Sequence, residues 1–128
     1  MNVKYKLIEK AQPGVAGGGT KKWYAQIIND NELTTDGLAK SIEKFSALSE
    51  PDIKGVIIAL ENLLQEAFAE GRIVKLDKLG TFYPTLSSEG VANKDEFNAD
   101  SHIKGMKINF RPGTRITTSM KSATFKRK

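Results

Sequence analysis

The chain has no cysteine, a single histidine and only four prolines in 128 residues. Without cysteine it can form neither a disulfide framework nor a metal site with thiolate ligands. His102 has no second histidine to complete a zinc site, and no spacing of serine, histidine and acid indicates a catalytic triad. We therefore expect no enzyme activity, no metal, no cofactor and no small-molecule substrate.

Long apolar runs are also missing. No stretch approaches the roughly 20 apolar residues that span a bilayer. The first eight residues, MNVKYKLI, alternate polar and apolar side chains, so they lack the apolar core of a signal peptide. These absences predict a cytoplasmic protein with no membrane partner, and the length allows one main domain with at most a small extension.

Glycine is concentrated at residues 14–19, where a phosphate-binding loop is the first idea to test. Such a loop needs glycine, then lysine, then serine or threonine, followed by a helix. Here Gly19 is followed by Thr20 and two lysines, and then by a strand pattern. Order and context are both wrong, so we interpret the glycines as the loop of a β-hairpin over residues 1–28.

The net charge of +5 is unevenly distributed. Residues 29–71 carry nine acids and three lysines, whereas residues 111–128 carry six basic residues and no acid. A basic end beside an acidic helical block suggests one face suited to polyanions, although a solvated tail has the same composition.

Hydrophobic periodicity predicts the order hairpin, helix, helix, strand, strand, long arm, strand, short helix. Ser49 as a cap and Gly71 as a stop bound the second helix. We expect helices at 35–46, 51–70 and 115–123, strands at 72–76, from 81 and at 106–110, and a frayed end at 125–128.

Two segments carry the strongest indication of function: GRIVKLDKLGTF at residues 71–82 and FRPG at residues 110–113. The first predicts a strand, a tight turn and a second strand, and the second ends a later strand. In order and spacing they resemble the core of the bacterial histone-like HU/IHF DNA-binding family, over residues 34 to about 120 of this chain. With its N-terminal hairpin, the whole is similar to the longer HU-related proteins of Bacteroides-type bacteria.

The resemblance implies an α+β, IHF-like DNA-binding fold. It would contain two helices, a three-stranded antiparallel sheet with a long β-arm and a short C-terminal helix, with an added N-terminal β-hairpin. The implied domains are a hairpin extension at 1–33 and an HU-like domain at 34–128. Within the second, the arm is expected at about 84–107 and the basic C-terminal segment at 111–128.

The resemblance also implies a homodimer, and the composition gives a physical reason for one. Two helices and a thin sheet leave Phe45, Phe68, Phe82 and Phe110 with more apolar surface than one short chain covers.

The implied partner is duplex DNA in the bacterial nucleoid. Arg111 offers a forked donor that matches phosphate oxygens, and backbone amides at the Gly80 turn add neutral donors. Phosphate contacts give affinity with a steep salt dependence but little sequence readout. The residues that we expect at the DNA are Lys75, Lys78, Gly80, Thr81, Lys104, Lys107, Arg111, Arg115 and Lys121.

The sequence of the arm differs from that of HU/IHF family members. Its tip lacks the Arg-Asn-Pro-x-Thr-Gly motif, and residues 85–109 contain no proline and are net acidic. Family arms bend DNA with an apolar wedge, usually proline; Phe97 is either a substitute wedge or a packed aromatic that anchors the loop. A second hypothesis is therefore a structural or protein-interaction module that lost DNA bending. A third is single-strand binding through the Trp23 or Tyr24 face.

Overall fold

A computed structural model of the protein describes residues 2–128. Within them, six strands form two three-stranded sheets and four α-helices accompany them, which confirms the predicted α+β class. The elements are β1 (Asn2–Lys10), β2 (Lys22–Ile27), α1 (Thr35–Glu43), α2 (Glu50–Ala69), β3 (Val74–Leu76), β4 (Gly80–Ser88), α3 (Ala99–His102), β5 (Ile103–Pro112), α4 (Thr114–Met120) and β6 (Thr124–Arg127). None of the helices in this part of the chain is long and apolar enough to cross a membrane.

Contacts divide the chain into two compact units. One consists of residues up to Glu32 together with Thr118–Lys128, and the other is Leu33–Thr117. The domain boundary expected near residue 33 stays a prediction. The assignment of residues 118–128 to the HU-like domain stays a prediction, because these residues have most of their neighbours in the first unit.

The first unit contains a three-stranded sheet in the order β2-β1-β6. β1 pairs antiparallel with β2, as the hairpin prediction required, and parallel with β6. The expectation that residues 125–128 fray is wrong, because Phe125 lies opposite Val3 and Arg127 opposite Tyr5. The chain end thereby satisfies hydrogen-bonding groups on the second edge of β1 that would otherwise face water.

The second unit begins with two helices whose ends follow local rules. The Ser49 hydroxyl accepts a hydrogen bond from the Asp52 N–H at 3.4 Å and caps α2. At the other end Gly71 has φ 76, and the Arg72 N–H donates to the Ala67 carbonyl at 2.9 Å. This Schellman-type ending confirms the predicted end of α2 at Gly71. The first helix, α1, ends at Glu43 and is slightly shorter than the predicted 35–46.

Asp36 on α1 and Lys54 on α2 form an ion pair of 2.6 Å. The hydrogen bond from Lys54, and then its charge, lower the pKa of Asp36, and the same contact raises the pKa of Lys54. These two helices also contribute one buried apolar side chain each, Ala39 from α1 and Ile53 from α2.

The second sheet has the order β3-β4-β5, with both pairs antiparallel. β3 covers β4 only as far as Phe82, whereas β4 and β5 stay paired from Gly80 opposite Pro112 to Ser88 opposite Ile103. The arm is therefore a two-stranded ribbon. Pro84 lies beyond the end of β3, at an edge position, where a missing N–H is tolerated.

The arm ends in an ordered tip at residues 89–102, where the sequence showed no clear period. The Asn98 side chain caps α3 by accepting the Asp100 N–H at 3.0 Å. His102 Nδ1 accepts the Asn98 N–H at 2.9 Å, and the His102 ring lies 5.3 Å from the Phe97 ring. Phe97 therefore contacts His102 while 43% of its surface stays exposed, so each of its two expected roles, wedge or anchor, stays a prediction.

Candidate nucleic-acid interface

Strand register gives the second sheet two chemically different faces. Phe82 lies opposite Phe110 with ring centroids 4.8 Å apart, on an apolar face. The neighbouring row joins Lys75, Thr81 and Arg111 across all three strands. Because successive strand residues point to opposite faces, this row lies on the side away from the phenylalanines. Three side chains expected at the DNA therefore lie side by side.

The same face continues along the arm. Lys107 lies opposite Thr85, and Asn109 lies opposite Tyr83, at positions of the same parity as Arg111. We define the basic sheet face as Lys75, Thr81, Tyr83, Thr85, Lys107, Asn109 and Arg111.

Two contacts hold the Arg111 guanidinium and the Asn109 amide in place on the basic sheet face. The Arg111 guanidinium carbon lies 5.2 Å from the centroid of the Tyr83 ring. Such a cation–π contact is worth about 0.5–1 kcal/mol at an exposed site, enough to favour one position of the guanidinium. The Asn109 amide donates to the Thr85 hydroxyl at 2.9 Å, which occupies that amide within the sheet.

The turn between β3 and β4 brings Lys78 to the end of the basic sheet face. The Leu79 N–H donates to the Leu76 carbonyl at 2.8 Å, and the Gly113 N–H donates to the Leu79 carbonyl at 2.9 Å. Lys78, Lys75 and Arg111 line one shallow hollow beside this turn. The turn is therefore tied to the end of β5, where Arg111 lies.

Gly80 has a packing role at this turn. It is buried with φ 148, and a Cβ there would lie 2.6 Å from the Arg111 carbonyl oxygen and 2.6 Å from the Phe110 ring. Only glycine allows β4 and β5 to approach this closely. The expectation that its amide contacts phosphate stays a prediction.

Arg115, in the first turn of α4, lines a second hollow with Lys75 and Lys78. Asp77 lines both hollows and is the one acid among the described residues that line them. Three basic side chains and one acid therefore line this hollow, so the local charge is positive.

Two expected residues lie elsewhere. Lys104 is in β5, and its ammonium group pairs with Glu89 at 3.2 Å and donates to the Ser101 carbonyl at 3.2 Å, both in the acidic arm tip. Lys121 follows α4 and belongs to the first unit. For both, a contact with DNA stays a prediction.

Sequence reasoning missed three residues of the face: Tyr83, Thr85 and Asn109. Their signal was present in the alternation, because they share the parity of Thr81 or Arg111 along their strands. Tyr83 and Asn109 follow from that parity alone, whereas Thr85 required knowing that β4 and β5 remain paired past Pro84.

Comparison with known proteins shows the family. Over residues 1–127 the sequence matches HU-HIG, described as an HU domain fused to a wHTH, Ig or glycine-rich motif. The chain belongs to this family of HU-domain proteins, which confirms the resemblance found from the sequence. A search among curated proteins found no match.

A solved structure has a similar fold. It is a protein from Bacteroides vulgatus ATCC 8482 described as a candidate bacterial DNA-binding protein, with a TM-score of 0.66 and 14% sequence identity. The similarity covers 99% of this chain and 49% of that chain, so this chain spans about half its length. At this identity the likeness shows the fold alone.

Proposed function

We propose that the protein is a non-enzymatic, HU-related architectural protein that binds duplex DNA with low sequence specificity in the bacterial nucleoid. The observation that carries the proposal is the row of Lys75, Thr81 and Arg111, continued by Lys107, on a sheet face whose paired strand residues include no acid. Membership of an HU-domain family and the description of the solved structure support DNA as the partner.

The chemistry of the face suits phosphate. Lysine ammonium groups act as point charges, and the Arg111 fork can hold two phosphate oxygens at once. The Thr81 hydroxyl, between Lys75 and Arg111 in the row, adds a neutral donor. Contacts of this kind fix a protein on the duplex without reading bases.

We also propose a homodimer as the binding unit, because one chain leaves large apolar side chains in water. Phe45 is 80% exposed and Leu63 on α2 is 62% exposed. Val56 and Leu60 lie on the same face of α2 as Leu63 and are also exposed. Contiguous apolar surface of this kind marks an interface. Analytical ultracentrifugation should give twice the chain mass, and a monomer at micromolar concentration would contradict this part of the proposal.

Fluorescence anisotropy with a mixed-sequence duplex tests DNA binding. Each phosphate contact contributes about 0.9 to the slope of log affinity against log salt. Lys75→Gln/Arg111→Gln should therefore lower the slope by about 1.8. The matched control, Lys40→Gln/Lys44→Gln on and just after α1, removes the same charge and should keep the wild-type slope. A wild-type protein that does not bind duplex at low salt would refute the proposal.

A second candidate function is a protein-interaction module that has lost DNA bending, and the arm tip favours it. The tip carries Glu89, Asp95, Glu96 and Asp100, and its Phe97 packs on His102. Acids repel phosphate, and residues 85–109 contain no proline to act as the usual wedge. Energy transfer between dyes at the two ends of a short duplex separates the possibilities: binding with unchanged transfer means attachment without bending, and no binding favours the module.

A further inference from the structure

The first sheet also has two different faces. Tyr5 lies opposite Ile27 and Leu7 opposite Ala25, while Phe125 lies opposite Val3. This face is mainly apolar, with Glu9 and Arg127 at its ends. The opposite face, which we call the lysine face, collects five lysines from all three strands: Lys4, Lys6, Lys10, Lys22 and Lys126.

The lysines are close together because of register. Lys4 lies opposite Lys126, and Lys10 lies opposite Lys22. Opposed residues on paired strands have backbones about 4.8 Å apart, and alternate residues along β1 are about 6.7 Å apart. Lys6 lies between the two lysine pairs, so the positive charges form a patch that follows β1.

Folding alone gives no reason for this arrangement. Like charges placed directly opposite each other destabilise a sheet, and two such pairs occur here. The neutral positions on the same face, Ile8 opposite Tyr24, show that the fold accepts uncharged residues there. A bound polyanion would offset the repulsion between these lysines. The sheet should therefore be more stable with a polyanion bound than without one.

Few negatively charged groups of the protein lie close to the lysines of this patch. Lys4 is 3.9 Å from Asp30, and the Lys10 ammonium lies 5.0 Å from the centre of the Tyr24 ring. In the part of the chain that the structure describes, Lys6 has no ion pair within 4 Å. None of the paired strand residues on this face is acidic.

We propose that the lysine face is a second binding site for the phosphate backbone of duplex DNA, in addition to the basic sheet face. All five lysines of this face are exposed, so DNA can reach them. Lysine side chains without hydrogen-bond partners in the sheet suit phosphate contacts and not base readout. The inference rests on the proposed function, because it assumes the same ligand.

The test uses Lys4→Gln/Lys6→Gln/Lys126→Gln, with Lys40→Gln/Lys44→Gln/Lys94→Gln as a control of equal charge. Three lost phosphate contacts should lower the log-salt slope by about 2.7. Between about 50 and 200 mM salt, wild type should then lose about 40-fold more affinity than the lysine-face variant. The control should behave as wild type.

A second variant separates binding from folding. Lys22→Gln removes the like charge opposite Lys10 and keeps the contact between Lys10 and Tyr24, so it should unfold at a higher urea concentration than wild type and still lower the salt slope by about 0.9. A merely structural role for these lysines would change stability and leave the slope unchanged, which would overturn the inference.

The outcomes distinguish this site from the proposed function. If Lys75→Gln/Arg111→Gln lowers the slope and the lysine-face variants match their control, the second site is refuted while the proposed function stands. If only the lysine-face variants lower the slope, the second site stands and the basic sheet face is refuted. If the lysine-face variants lose binding to anionic lipid vesicles or to oligo-dT while duplex binding is unchanged, duplex DNA is the wrong ligand for this site.

Discussion

Replacing Gly80 by alanine tests the close approach of β4 to β5 at one end of the basic sheet face. The new Cβ would lie 2.6 Å from the Arg111 carbonyl oxygen and 2.6 Å from the Phe110 ring, at φ 148. Backbone strain of this kind costs about 1–3 kcal/mol, and overpacking costs about 1–3 kcal/mol. The free energy of unfolding should therefore fall by about 2–6 kcal/mol, a large part of the roughly 5–15 kcal/mol of an ordinary domain.

Urea denaturation followed by circular dichroism measures this loss, and Gly55→Ala is the matched control. Gly55 lies within α2, and a Cβ there meets no atom within 4 Å. Alanine should stabilise the helix by about 0.5–1 kcal/mol. The variant at Gly80 should also bind duplex more weakly, because Arg111 must move. Equal midpoints for Gly80→Ala and wild type would refute the packing at this turn.

Three further predictions concern the contact under Arg111, the pairing of β6 and the cap of the arm tip. Tyr83→Leu removes the ring under Arg111 and should weaken duplex binding about two- to fivefold, since a cation–π contact is worth about 0.5–1 kcal/mol; an unchanged salt slope in anisotropy would show that no charge was lost. Truncation before Thr124 removes β6, so hydrogen exchange should accelerate at the β1 amides that face it but not at those that face β2; uniform protection would contradict the parallel pairing. His102→Ala removes the acceptor for the Asn98 N–H, so exchange at that amide should accelerate while duplex affinity stays unchanged, and reduced affinity would place the tip at the DNA.

The helices could be predicted because their signals are local. Ser49 and Gly71 each act within one helical turn of their own position, and the structure shows both at the expected ends of α2. The turn at Gly80 was also recognisable, since the alternation on each side fixes where the chain reverses.

The last strand could not be predicted, because its partner is distant in sequence. Phe125 pairs with Val3, and the alternation over residues 124–127 is too short to distinguish a strand from a basic tail. The arm tip is a different case. Asn98 precedes a helical turn that it caps, a local signal that was available, but the polar composition around it suggested an irregular loop.

The side chains on the basic sheet face favour low specificity over base recognition. Reading a base edge requires donors and acceptors that are fixed and available. The Asn109 amide is already bonded to Thr85, and Arg111 lies over Tyr83. What remains for DNA is mainly the positive charge of Lys75, Lys107 and Arg111, which neutralises phosphate wherever the backbone passes. A selection from random duplexes should therefore enrich no strong consensus, and a sharp motif would mean that Arg111 leaves Tyr83 to reach a guanine.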